Sequence, residues 1–361
     1  MLIDIIAGAR PNFMKIAPII AEIKKRKSEG QNIDYRLIHT GQHYDEKMSG
    51  SFFEQLNIPH PDINLEVGSG TQAQQTARIM ERYEEVLLKE PCDLTLVVGD
   101  VNSTMACAIA AKKLNIKVAH VEAGIRSGDI TMPEEINRMV TDSITDYFYT
   151  TSEVANQNLR NSGFKEEQII FVGNTMIDTL LANINRLQKP KVWDELGLSE
   201  KNYVIMTLHR PANVDEEAKL KELIDEIVNN VSNMPIVFPV HPRTAKMLEN
   251  IGIQADNLFM IEPLGYLEFN YLVKNAKAVI TDSGGITEET TVMKVPCMTL
   301  RDNTERPETI TVGTNELVGT NPKNVKPYLD KLFAGEWKEG GIPELWDGKT
   351  AERIISHILT Q

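Results

Sequence analysis

The chain has 361 residues, 42% hydrophobic and 25% charged, the make-up of a globular protein too long for one ordinary core. Its formal net charge of −13 disfavours nucleic acid or an anionic membrane as partner, although cations gathered in a cleft can still hold a small anion. No apolar run approaches the roughly 18 residues of a membrane-spanning helix, and Asp4 interrupts the first apolar run too early for a signal peptide, so a cytoplasmic protein is expected.

Short apolar runs predict strands over 2–7, 35–40, 93–98, 116–121, 146–151 and 168–172, with helices between them, among them 15–26, 72–88 and 103–114. After Gly173-Asn174 the rhythm restarts, with strands over 202–208, 235–240, 258–261, 276–280, 296–300 and 316–318. This repeated βαβ alternation predicts an α/β protein of two doubly wound, Rossmann-like domains, 1–172 and 173–345, facing a central cleft. The stretch 347–359 reads as an amphipathic helix, and the segment 346–361 is expected to pack back on the first domain. Cys92, Cys107 and Cys297 are odd in number and far apart, as buried thiols in a reducing compartment would be.

The loops after the strands hold the candidate chemistry, because open parallel sheets bind ligands at the carboxyl ends of their strands. Gly8-Ala9-Arg10-Pro11 follows the first strand and opens a helix, offering backbone amides, Arg10 and Lys15 to an anion. Val98-Gly99-Asp100 ends the third strand, where Asp100 either caps the next helix or serves as an acid or base. Glu122 ends the fourth, within His120-Val121-Glu122-Ala123-Gly124-Ile125-Arg126, and Glu134, Glu135 and Arg138 follow closely. Taken alone, this segment is best read as an arginine–glutamate lattice holding a loop. Paired with Asp100, Glu122 and Glu134 become proton handlers, since neighbouring carboxylates push one another's pKa values apart.

In the second half, Asp282-Ser283-Gly284-Gly285 runs from a strand into a helix, a cradle for a diphosphate. Glu289 is placed to accept from sugar hydroxyls, while Glu288 reads as an ordinary first-turn acid. His209-Arg210 and His241-Pro242-Arg243 each follow a strand and add phosphate-binding groups, and Thr304-Glu305-Arg306-Pro307-Glu308 caps the same region. No Asp-x-Asp pair suggests a metal-bridged nucleotide sugar.

Taken in order, these motifs resemble the non-hydrolysing UDP-N-acetylglucosamine 2-epimerases, together with Thr40-Gly41-Gln42-His43, Pro133-Glu134-Glu135-Ile136-Asn137-Arg138 and Val172-Gly173-Asn174-Thr175. The resemblance implies a GT-B-like fold, normally a homodimer, that converts UDP-GlcNAc to UDP-ManNAc without a redox cofactor or a required metal. By position it makes Asp100, Glu122 and Glu134 the acid/base carboxylates and His209 the catalytic-site histidine. Arg10 and Lys15 fall near the diphosphate. Ser283, Gly284, Gly285 and Glu289 hold diphosphate and ribose, with His241 and Arg306 alongside, and Phe269 lies beside uracil. Gln42, His43 and Arg210 are candidates for the second, activating UDP-GlcNAc site of some bacterial members. Here, however, Tyr44-Asp45-Glu46 departs from the pattern common in those members, as His209-Arg210-Pro211-Ala212-Asn213 departs from the usual His-Arg-x-Glu-Asn. Such departures leave the sugar open, since related enzymes epimerise UDP-2,3-diacetamido-glucuronate. The rivals are a GT-B glycosyltransferase, a hydrolysing epimerase and a non-catalytic nucleotide-sugar sensor. The family feeds cell-surface polysaccharide synthesis.

Overall fold

Near-continuous apolar strands need cover on both faces, and parallel sheets flanked by helices provide it. The computed structural model describes residues 1–41, 55–240, 245–246, 248, 251–253 and 255–361, apart from the side chains of Arg10 and Pro211. It divides into one unit of Met1–Ala182 with Glu344–Gln361, and a second of Asn183–Pro343.

The first unit holds seven strands: β1 (Leu2–Ala7), β2 (Asp34–His39), β3 (Ile63–Asn64), β4 (Leu94–Val98), β5 (Lys117–Val121), β6 (Tyr147–Thr150) and β7 (Ile169–Phe171). They lie in the order β3-β2-β1-β4-β5-β6-β7 with parallel neighbours. Strand order therefore reverses between β1 and β4, and the crevice of a doubly wound sheet opens at that switch point. Its helices include α1 (Arg10–Ser28), α2 (Gln72–Lys89), α3 (Asn102–Lys113), α4 (Pro133–Ile144), α5 (Glu153–Asn161) and α6 (Thr175–Asn183). One apolar layer joins Ile6, Ile38, Val97 and Val118 of the sheet to Ile79, Tyr83 and Cys107 of α2 and α3. Asp4 is fully buried within this sheet, where Arg36 grips it bidentately at 2.8 and 2.9 Å and the Tyr83 hydroxyl donates at 2.9 Å. A buried charge is tolerable only when paired in this way.

The domain boundary expected at 172 falls later, because α6 stays with the first unit: Thr179 Oγ1 donates to the Met14 carbonyl at 2.5 Å. The C-terminal helix Thr350–Ile358 belongs to the first unit too. Its opening amides at Thr350 and Ala351 donate to Asp178 on α6 at 3.1 and 2.8 Å. The Tyr149 hydroxyl meets His357 Nδ1 at 2.9 Å, and the Trp346 indole donates to the Thr151 carbonyl.

The second unit orders its strands β10-β9-β8-β11-β12-β13, with β8 (Val204–Thr207), β9 (Ile236–Pro239), β10 (Leu258–Ile261), β11 (Ala278–Thr281), β12 (Cys297–Thr299) and β13 (Asn315–Leu317). Alternate residues feed two layers, Val204 and Met206 into one and Tyr203 and Ile205 into the other. Its switch point lies between β8 and β11. The helices used below are α7 (Tyr266–Asn275) and α8 (Gly284–Val292). All three cysteines are buried and free. Among the described residues no helix is long and apolar enough to cross a membrane, and no cluster of His, Cys, Asp and Glu is arranged to hold a metal ion.

Candidate active site

In the first unit the loops at the switch point are tied together by Asn12. Its Oδ1 accepts from the Gly8 and Ala9 amides at 3.1 and 2.9 Å, and its Nδ2 donates to the Val98 carbonyl at the end of β4. This corrects one expectation, because those two amides are turned inward to Asn12 and are not offered to an anion. Lys15, one turn further along α1, extends to Glu122 at the end of β5, with Nζ 2.7 Å from Oε2. Glu122 is 3% exposed, so this ammonium balances a buried carboxylate.

Backbone geometry at these strand ends is unusual. Glu122 has φ of +67°, a left-handed conformation that a non-glycine residue adopts at a cost of about 1–3 kcal/mol and that concentrates at functional sites. Gly99 is left-handed as well, and a Cβ there would stand 3.0 Å from the Lys15 ammonium. Gly124 permits a turn so close to α5 that a Cβ would meet the Ala155 carbonyl at 2.4 Å. The glycines flanking the two carboxylate positions are therefore required by space and by φ.

Asp100 does not cap α3, whose N-cap is Val101 without a side-chain cap. Its carboxylate pairs with Arg138 of α4, and its carbonyl accepts from Asn137 at 2.9 Å. Arg138 also reaches Glu135 at 2.8 Å, and Glu135 accepts from the Ser127 and Gly128 amides. Burial works to raise the Glu135 carboxyl, but those amides and Arg138 outweigh it and hold it low. Glu135 and Arg138 are thus the lattice that the sequence suggests. Glu134, in the first turn of α4, is half-buried and is bonded to none of the described residues.

α4 turns Glu135, Asn137, Arg138, Thr141 and Asp142 inward and leaves Ile136 and Met139 exposed. It docks by hydrogen bonds, the reverse of an ordinary amphipathic helix.

In the second unit Asp282, at the end of β11, is the organising residue. It accepts from the His209 amide at 3.1 and 3.2 Å, from the Arg210 amide at 2.9 Å and from Asn213 Nδ2 at 3.1 Å. His209 Nδ1 lies 2.6 Å from Asp282 Oδ1. Burial pushes the Asp282 carboxyl up, yet His209 and these donors hold it below the usual range. The ionised carboxylate fixes the histidine tautomer, leaving Nε2 as the working nitrogen. His209 is 60% exposed while Asp282 is 0%.

The turn Asp282-Ser283-Gly284 then opens α8. Ser283 makes no side-chain cap, and its amide donates to Thr281 Oγ1 at 3.0 Å. The first turn is left uncapped and carries no acid, which suits an anion. Glu288 and Glu289 lie beyond that turn, so the first-turn reading of Glu288 is corrected: it is buried and paired with Arg306. Glu289 accepts from the Tyr266 hydroxyl at 2.8 Å and from Asn270 at 3.4 Å, both on α7. Burial pushes its carboxyl up to about 7 despite those bonds. Arg301 grips Glu305 through two 2.7 Å bonds, and Arg210 lies 3.8 Å from Glu305. Phe269 on α7 is half-buried against the apolar layer. Gln42, His43 and His241 lie outside the described residues, as does the Arg10 side chain.

Asp282 and Asn213 do not stand out as organisers in sequence. The available signal is an acid ending an otherwise apolar strand, followed by Ser-Gly-Gly.

Residues 25–359 match the family model described as UDP-N-acetylglucosamine 2-epimerase. The UDP-N-acetylglucosamine 2-epimerase of Methanocaldococcus jannaschii is 44% identical, over all of this chain and 99% of its own. The UDP-2,3-diacetamido-2,3-dideoxy-D-glucuronate 2-epimerase of Pseudomonas aeruginosa is 42% identical, over 88% of each. The crystal structure of the M. jannaschii enzyme in complex with UDP-GlcNAc and UDP superposes with a TM-score of 0.88, covering both chains entirely at 42% identity. With this likeness the two doubly wound units are GT-B-like.

Proposed function

Since the chain belongs to the UDP-N-acetylglucosamine 2-epimerase family and is an epimerase, we propose that it interconverts UDP-GlcNAc and UDP-ManNAc at C2. The observation that carries this reading is Glu122: a buried carboxylate on left-handed backbone, balanced by Lys15, at the switch-point edge that also holds Asp100.

The C2 hydrogen is not α to a carbonyl, so direct deprotonation is slow and elimination supplies the route. A carboxylate removes the C2 proton, the C–H electron pair becomes the C1=C2 bond, and the C1–O pair departs with UDP. UDP then adds back to the 2-acetamidoglucal as C2 takes a proton on its other face. Two carboxyl-type groups in different protonation states are needed. Asp100 and Glu122, tied to Arg138 and Lys15, and Glu134, which has no such tie, are the assigned set. Developing charge on the diphosphate calls for preorganised donors, here the opening turn of α8 at Ser283, Gly284 and Gly285, with His209 Nε2, Arg10 and His241. Lys15 serves Glu122 as well as the diphosphate. Arg306 balances Glu288 and adds positive charge there. Glu289 is assigned to the ribose and Phe269 to uracil, and we assign the protein to the cytoplasm as a homodimer.

The test is incubation with UDP-GlcNAc in D₂O followed by NMR. UDP-ManNAc with deuterium at C2 is expected, and absence of any C2 exchange overturns the reading. The 42% identity to the P. aeruginosa enzyme favours a second reading, UDP-2,3-diacetamido-glucuronate as substrate. The same experiment with that sugar decides it by the larger kcat/KM.

A further inference from the structure

The His120–Asp142 pair is assigned no part in the chemistry above. His120 lies on β5 and Asp142 in the last turns of α4, and both are closed to solvent. His120 Nε2 is 2.8 Å from the Gly99 carbonyl, and Nδ1 is 2.7 Å from Asp142 Oδ1. The other Asp142 oxygen accepts from the Gly124 amide at 3.2 Å and from Arg126 at 2.7 Å. Burial pushes the Asp142 carboxyl up, but His120 and Arg126 outweigh it and keep it below the usual range. A carbonyl and a carboxylate can only accept, so both ring nitrogens donate. One end of this chain of bonds thus holds the residue before Asp100, and the other holds the residue two after Glu122.

We infer that His120 and Asp142 are positioning residues that fix the Gly99-Asp100 turn and the Glu122–Gly124 turn in a single geometry for proton transfer. Neither touches substrate, and the inference rests on the epimerase reading above. Glu122 needs such a brace, because its left-handed φ is unfavourable unless its surroundings impose it. The amides of Glu122 and Ala123 donate to the Tyr149 carbonyl at 3.0 and 3.2 Å, which fixes the near side of this turn. The Asp142 bond to Gly124 fixes the far side.

Asp142→Asn keeps the shape and removes the charge. His120→Gln keeps a donor near the Nε2 position and loses the bond to Asp142. For both variants we expect a folded protein that binds UDP with Kd within about threefold of wild type, and kcat for C2 deuterium exchange lowered by about 10²-fold with KM little changed, the cost of a misplacement on the order of 1 Å. Asp142→Glu, which retains the charge, restores part of kcat. Folded variants with wild-type kcat overturn the inference, as does a parallel loss of UDP binding. If both variants fail to fold, the pair serves stability alone and the inference falls. A wild-type protein without C2 exchange would instead remove the epimerase reading.

Discussion

Each unit builds a histidine–aspartate pair at the edge of its sheet, 2.7 Å in the first and 2.6 Å in the second. The aspartates are alike, buried and held ionised by donors that outweigh burial. The histidines are not: His120 is 0% exposed with both nitrogens occupied, whereas His209 is 60% exposed and spends one nitrogen on its aspartate. The difference shows that the same two residues can brace a backbone or present a reactive ring. What decides is whether the second nitrogen faces a carbonyl or open space.

Several substitutions break or sharpen this contrast. The largest expected effect lies at the carboxylate that the buried pair braces: Glu122→Gln lowers C2 exchange by about 10³-fold or more and leaves UDP affinity unchanged, measured by NMR exchange and calorimetry. Next, His209→Asn removes the exposed ring and lowers kcat by about 10²-fold, while stability moves by less than about 1 kcal/mol because the ring is largely solvated. His120→Ala tests the opposite case. It leaves Asp142 buried with only Arg126 beside it, and denaturant unfolding should report a loss of about 3–5 kcal/mol.

The smallest effect concerns a buried carboxyl with no cation beside it among the described residues. Glu289 has a folded pKa of about 7 against an ordinary 4.5. Between those values the native state holds a proton that the unfolded chain has lost, so this group's stabilising contribution falls as pH rises from about 4.5 and is gone above about 7. Glu289→Gln removes that slope. Relative to wild type, the variant should gain up to roughly 3 kcal/mol across the window, read from unfolding at each pH.

Most of the fold was legible because parallel strands buried on both faces are short apolar runs, and 2–7 and 258–261 match their strands end for end. The two-residue edge strand β3 has too little sequence to carry a period. The lattice reading of Glu135 and Arg138 was legible from charge alone. The His120–Asp142 pair was not, since its partners lie 22 residues apart and α4 reverses the usual burial of apolar residues. The environment of Glu288 and Glu289 depended on where α8 begins, and Gly284 places both acids past its first turn.

The bond from the Thr350 amide to Asp178 closes a span of 172 residues. A ribosome adding about 5–20 residues each second needs roughly 10–35 s to cover it. For that interval the first sheet is complete in sequence but lacks the helix carrying Ile354, Ile355 and Ile358, all buried in the finished protein. The nascent first unit therefore waits with an apolar face uncovered, and it can finish folding only after the whole second unit has been made.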